Sequence, residues 1–271
     1  MTDNQSTTPD LNRYVRQTTY APLGSDGQRR LAAGAVLICG CGALGATLAN
    51  LLVRAGVGHV RIVDRDRVDL HNLQRQVLFD EHDAAENRPK AQAAAVHLAR
   101  INSEVACEPI VDEIHRGNIE RLIEGIDVIV DGTDNFPTRF LINDASVKHG
   151  VPWVYGGCVG TEGQTMTIVP GQTPCLRCLL PECPDPATLP TCPTHGILGP
   201  IAGLIASLEA LEAIKLLSGN PEAVSPVLTV VHLWENRLHQ VSLAGLRDRA
   251  DCSCCEHHRF TWLDGQADQS R

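Results

Sequence analysis

The chain has 271 residues, a net charge of −9 and eleven cysteines. That length buries a substantial core, as one large α/β domain or two smaller ones. The acidic balance argues against a broad basic face for nucleic acid or an anionic membrane. No long uncharged apolar run is present, and MTDNQSTTPD lacks an apolar signal region, so a cytoplasmic location is expected. In that compartment the cysteines read as metal ligands, reactive thiols or core residues rather than disulfides.

Residues 1–10 are polar and are expected to be disordered. In the segment that follows, Arg13 and Arg16 stand at i, i+3, one face of a short helix. Next comes AVLICGCGALGATLANLL, an apolar β-prone run, a glycine turn and an alanine- and leucine-rich helix. This is G-x-G-x-x-G after a strand and opening a helix, the context in which the motif binds a nucleotide. Gly40 permits the tight turn, Gly42 the approach of a phosphate, and Gly45 the packing of helix on strand. The helix N-terminus offers its free N–H groups to an anion. Asp64 ends the next strand, HVRIVD, where a carboxylate for ribose is expected. The motif alone does not say which nucleotide.

The charged stretch VDRDRVDLHNLQRQ then lies beyond a strand's carboxyl end, where open α/β sheets bind ligands. Asn72, Arg75 and Gln76 are its candidates for ribose and phosphate. RPKAQAAAVHLARIN predicts a helix after Pro89, with Lys90 in the first turn, where a cation opposes the helix dipole unless it faces a phosphate. EVACEPIV and DVIVDGTDN predict strands, with RGNIERLIEGI a helix between them. Asp131 and Asp134 close the second strand, and a carboxylate there can hold Mg²⁺ against nucleotide phosphates. FPTRFLINDASVKHG predicts an amphipathic helix from about Pro137.

After Gly150 the pattern turns to apolar residues mixed with glycine, which predicts antiparallel strands, with Cys158 a small core residue. Cys175 and Cys178 form one C-x-x-C pair, Cys252 and Cys255 another, with Cys254 spare. Four such thiolates make a closed structural zinc site, a redox pair being the other reading. The proline-rich segment between them reads as an irregular loop carrying Cys183 and Cys192, candidates for a reactive thiol. In the helix that follows, Glu209, Glu212 and Lys215 read as the polar residues of a soluble helix, and VLTVVHLWENRLHQVSL predicts two closing strands.

Taken together, RYVRQ (13–17), GCGALG (40–45), AGVGHVRIVDRDRVDLHNLQRQ (55–76), RPKA (88–91), DGTDN (131–135), CLRC (175–178), TCPTHGILGP (191–200) and the final C-x-x-C closely resemble the ThiF/MoeB/HesA family. The likeness covers about residues 11–256. It implies a Rossmann-like, mostly parallel sheet flanked by helices, continuing into an antiparallel region with a four-cysteine zinc site. The expected layout is one adenylation domain over 11–256, nucleotide-binding to about 150 and carrier-binding with zinc beyond, then a flexible tail over 257–271.

The same likeness assigns roles. Gly40, Gly42, Ala43 and Gly45 would cradle ATP, with Asp64 on the ribose and Asp66 and Gln76 beside it. Asn72, Arg75 and Lys90 would hold the triphosphate, and Asp134, next to Asn135, would bind Mg²⁺. Arg16 would reach the partner's ATP site in a homodimer. Cys192 matches a thiol used by some members for a covalent intermediate, and Cys175, Cys178, Cys252 and Cys255 match the zinc ligands. The implied reaction is ATP-dependent adenylation of the C-terminal glycine of a ubiquitin-like sulfur carrier ending in Gly-Gly. Thiocarboxylate formation would follow, with sulfur from a separate donor, for thiamine, molybdopterin or another thiolation pathway. The rivals are a HesA-like enzyme for another carrier, an NAD-dependent oxidoreductase and a zinc-stabilised scaffold. The oxidoreductase leaves Arg75, Lys90, Asp134 and the paired cysteines without a joint role.

Overall fold

Eight strands make one sheet in the order β3-β2-β1-β4-β5-β6-β7-β8. In this computed structural model, which describes residues 11–249 and 251–266, they are β1 (Ala35–Cys39), β2 (His59–Val63), β3 (Ala106–Ile110), β4 (Val128–Asp131), β5 (Trp153–Val159), β6 (Glu162–Ile168), β7 (Val227–His232) and β8 (Arg237–Ser242). The expected disordered segment 1–10 lies outside the described residues.

β1 to β5 pair in parallel, while β5 to β8 pair antiparallel. The two inner strands β1 and β4 are buried throughout because both their faces are covered, and they are apolar except for Asp131 at the end of β4. Their side chains alternate between two cores. Val36, Ile38, Val128 and Val130 join the core under the helices Ala43–Ala55, Lys90–Ile101 and Gly199–Leu217, whereas Leu37, Cys39 and Ile129 join the core under Phe136–His149. The outermost strands are polar or exposed: β3 carries Glu108 and Pro109, and β8 is exposed at every residue.

The expected fold class and element order hold, with three local differences. The helix expected from Pro137 starts at Phe136, capped by Asn135, whose Oδ1 accepts from the Thr138 N–H at 2.9 Å. It is not amphipathic in the usual sense, because Arg139 to Ser146 are all buried. The C-terminal segment covers the face that would otherwise meet water. Phe140 stacks on Trp262 at 5.4 Å, Asp144 accepts from the Trp262 N–H, and Asn143 donates to Cys254 Sγ at 3.3 Å. Residues 257–266 of the expected flexible tail are therefore docked, with Leu263 buried, while 267–271 lie outside the described residues. Finally, Glu209 and Glu212 are buried rather than solvated. No helix among the described residues is long and apolar enough to cross a membrane.

Candidate active site

The carboxyl ends of β1, β2 and β4 meet at one point. The Gly40 N–H donates to Val63 O and the Gly132 N–H to Cys39 O, each at 2.8 Å, which binds the glycine turn to both neighbouring strands. Gly40 has φ +90°, and a Cβ there would sit 2.7 Å from Gly132 O. At Gly45 a Cβ would fall 1.9 Å from Gly40 O, so only glycine lets the Ala43–Ala55 helix start this close to β1. A Cβ on Gly42 would meet nothing nearer than Gln76 Nε2 at 4.0 Å. That side of the turn is open.

It opens onto a cavity of about 420 Å³. Every residue expected at the nucleotide except Gly45 lines it: Gly40, Gly42, Ala43, Asp64, Asp66, Asn72, Arg75, Gln76, Lys90, Asp134 and Asn135. Asp64 accepts from the Cys41 and Asp66 N–H groups at 2.6 and 2.7 Å, which aims the carboxylate at the cavity. Burial pushes its pKa up, against the pull of Lys90 and these two donors. Lys90 is 6% exposed, and its Nζ donates to Asp66 Oδ2 at 2.9 Å. Asp66 thus positions Lys90. Asn72 closes a reciprocal cap with Asp69, and Arg75 donates to His71 O one turn away. Gln76 lines the cavity, is 3% exposed, and leaves its buried Oε1 without a hydrogen-bond partner.

The two carboxylates at the end of β4 separate cleanly. Asp131 is fully buried, accepts from Thr133 N and Oγ1, and pairs with Arg139 Nε at 3.3 Å. It is structural, and removing either partner of such a pair costs roughly 3–5 kcal/mol. Asp134 is exposed and lines the cavity, so of the two it alone is placed for a cation.

A second cavity of about 380 Å³ adjoins the first, walled by Phe136, Gly157, Val159, Gly163, Leu189 and Val230 among others. Asp134, Asn135, Cys158 and Cys192 line both. Cys158, expected in the core, is thus a half-buried cavity residue. Cys192 begins a single helical turn, Cys192–His195. Its surroundings do not activate the free thiol: burial and Asp134 push its pKa up, with Arg75 only partly offsetting them.

Sequence reasoning missed two residues beneath this junction. Arg139 donates to Asp131, Thr133 O and Gly156 O. Glu209 accepts from the Asp131 N–H and leaves Oε1 unpartnered, where a Cβ on Gly156 would come within 1.9 Å. Burial and Asp131 push Glu209 well above the carboxylate range. The available signal was its spacing, four residues from Ile205 and from Ala213 on the buried stripe.

Remote from the cavities, Cys175, Cys178, Cys252 and Cys255 bring all four Sγ atoms within 4.8 Å of one another. Separations of 3.6 Å (Cys175–Cys252), 3.4 Å (Cys178–Cys255) and 4.0 Å (Cys175–Cys178) bracket the edge of about 3.8 Å that a tetrahedral zinc–thiolate centre requires. The donor set and the spacing therefore suit a closed metal site. Arg16 is exposed and does not line the cavity of its own chain.

A family model described as the ThiF family matches residues 14–254. The chain belongs to the ThiF family. Among ThiF-family and related proteins, it is 46% identical over 251 residues to the sulfur carrier protein ThiS adenylyltransferase of Bacillus subtilis, covering 93% of this chain and 73% of that protein. It is 39% identical over 245 residues to the SAMP-activating enzyme E1 of Haloferax volcanii, covering 90% and 88%. The adenylyltransferase and sulfurtransferase MOCS3 of Xenopus laevis is 37% identical over 251 residues, of which the match covers only 55%. A crystal structure of E. coli MccB with ATP superposes with a TM-score of 0.71 at 25% identity, covering 90% of this chain and 74% of that one.

Proposed function

We propose that this ThiF-family protein is an ATP-dependent adenylyltransferase for the C-terminal glycine of a ubiquitin-like sulfur carrier. The observation that carries the reading is the junction of the two cavities. A polar chamber built around the glycine turn, Asp64, Arg75 and Lys90 meets a mainly apolar one at Asp134, Asn135, Cys158 and Cys192. A nucleotide in the first and a slender peptide end in the second bring α-phosphate and carboxylate together there.

In that arrangement the turn's N–H groups face the phosphates, and Asp64 accepts from the ribose hydroxyls. Arg75 and Lys90 stabilise the charge that gathers on the phosphate oxygens as the carboxylate attacks and pyrophosphate leaves. Arg16, exposed and not lining its own chain's cavity, would come from the second subunit of a homodimer. Asp134 would hold Mg²⁺, which when bound neutralises and bridges phosphates. Cys175, Cys178, Cys252 and Cys255 would hold Zn²⁺ as a structural centre. Cys192 stands where the acyl adenylate forms and would carry sulfur from a separate donor to it. The relatives named for ThiS and SAMP activation support this reading.

The test is ATP–pyrophosphate exchange with a ThiS-type carrier ending in Gly-Gly. Exchange that requires the intact Gly-Gly end is expected. Carrier-independent exchange, or tight NAD binding with no exchange, overturns the reading.

A further inference from the structure

The junction holds two thiols, and the adenylation reading uses one. Cys158, near the end of β5, lines both cavities together with Cys192. Cys192 Sγ lies 4.0 Å from the carbonyl oxygen of Cys158 itself. The loop bearing Cys192 is tied to that strand end by bonds from the Gly160 N–H to Gly196 O and from the Leu198 N–H to Gly160 O, at 2.8 and 3.0 Å. The two cysteines are therefore held as neighbours, both lining the junction where the carrier's carboxylate would be activated.

We propose that Cys158 is the resolving thiol of sulfur transfer, breaking the disulfide that joins the carrier to Cys192 and freeing the carrier as a thiocarboxylate. The inference rests on the adenylation reading above. A persulfide donor first passes its outer sulfur to Cys192 and keeps its own thiol. The terminal sulfur of that persulfide attacks the acyl adenylate, the acyl–oxygen bond breaks, and AMP leaves. The product is an acyl disulfide, carrier C(O)–S–S–Cys192. The Cys158 sulfur then attacks Cys192 Sγ and the S–S bond breaks. The electron pair leaves on the carrier's sulfur with the Cys158 proton, which water takes up as the thiocarboxylate ionises. The enzyme is left oxidised as a Cys158–Cys192 disulfide, which a cytosolic dithiol reductant returns to two thiols.

The thiols' environments fit this division. Burial, then the charge of Cys192, push Cys158 up to about 12, so the resting residue stays protonated and inert. Once Cys192 is tied up in a neutral disulfide, its opposing charge is gone and Cys158 ionises more readily. Burial and Asp134 push Cys192 up as well, but Arg75 partly offsets them, and Cys192, on the loop turn that faces both cavities, takes the first step.

The experiment is a reaction of the full-length protein with ATP, a ThiS-type carrier ending in Gly-Gly and glutathione persulfide, after removal of excess persulfide and without dithiol reductant. Remaining thiols are alkylated and the peptides read by mass spectrometry. Thiocarboxylate and a Cys158–Cys192 linked peptide are expected in equal amounts, with turnover resuming when dithiothreitol is added. Cys158→Ser is expected to leave the carrier attached to Cys192 and to slow its release by at least about tenfold, with dithiothreitol restoring it. Release from the unsubstituted protein with Cys158 still alkylated overturns the proposal, as does release from Cys158→Ser at the parent rate. ATP–pyrophosphate exchange in the same preparation keeps the two readings apart. Exchange without the linked peptide removes only the role of Cys158, whereas absent exchange removes the adenylation reading and this inference with it.

Discussion

Arg75 and the turn glycines make sharply different demands on the same chamber. Arg75 is half-buried, and its remaining donors are free for phosphate, so Arg75→Ala should lower carrier-dependent exchange by about 100-fold or more while leaving the melting temperature near the parent value. Gly45 and Gly42 separate stability from binding. A methyl at Gly45 collides with Gly40 O, and Gly45→Ala should destabilise the protein by more than about 2 kcal/mol in denaturant titration. Gly42→Ala meets only Gln76 at 4.0 Å, so it should melt like the parent and weaken ATP binding in calorimetry. Glu209 carries a pH signature. Its folded pKa is raised, so between the unfolded value and that raised value the native state holds a proton the unfolded chain has lost, and stability falls as pH rises. Glu209→Gln cannot lose that proton. Its melting temperature relative to the parent should climb as pH rises above about 4.5, and a flat difference would show that Glu209 is ionised when folded.

At the level of elements, the helix Phe136–His149 links the candidate site and the cysteine quartet. Its first residues follow Asn135 at the chamber, and its outer face rests on the C-terminal segment that also carries Cys252 and Cys255. Stripping metal with a chelator should therefore lower the melting temperature by about 10 °C or more. Loss of metal, confirmed by analysis, with unchanged melting would refute a structural role. The same helix marks where sequence reading succeeds and stops. Strand periodicity, the glycine turn and the C-x-x-C spacing are local signals, and the strands, the cavity at the glycine turn and the cysteine quartet follow from them. Which helix face is buried depends on what packs against it from far along the chain. Trp262 lies 122 residues beyond Phe140, so nothing local marks that face as covered. Arg139, Glu209 and Cys158 are missed for the same reason: their roles come from strands and loops that meet only in the fold.

For the whole molecule, the proposed homodimer, with Arg16 supplied by the partner subunit, would make the ATP site a property of two chains. A mixture of Arg16→Ala and Lys90→Ala proteins, each inactive alone, should recover activity on forming mixed dimers. The Arg16→Ala chain keeps its Lys90 and receives Arg16 from its partner, giving one intact site per mixed dimer. No recovery in verified mixed dimers would mean that Arg16 serves its own chain or none. The change of strand direction at β5 has a further consequence. A parallel sheet must cover each new strand with a crossover helix, but a hairpin needs none. Because β5 turns straight back into β6, and β6 pairs with β7 in the same sense, no helix of their own covers the face they present beside Phe136. The apolar chamber occupies that vacancy. Its width is therefore set by residues such as Gly157 and Val230 on the sheet floor, which do not line the cavity at the glycine turn. On the adenylation reading, the choice of which protein end to admit can then drift through small changes on these strands while the phosphate chemistry stays as it is.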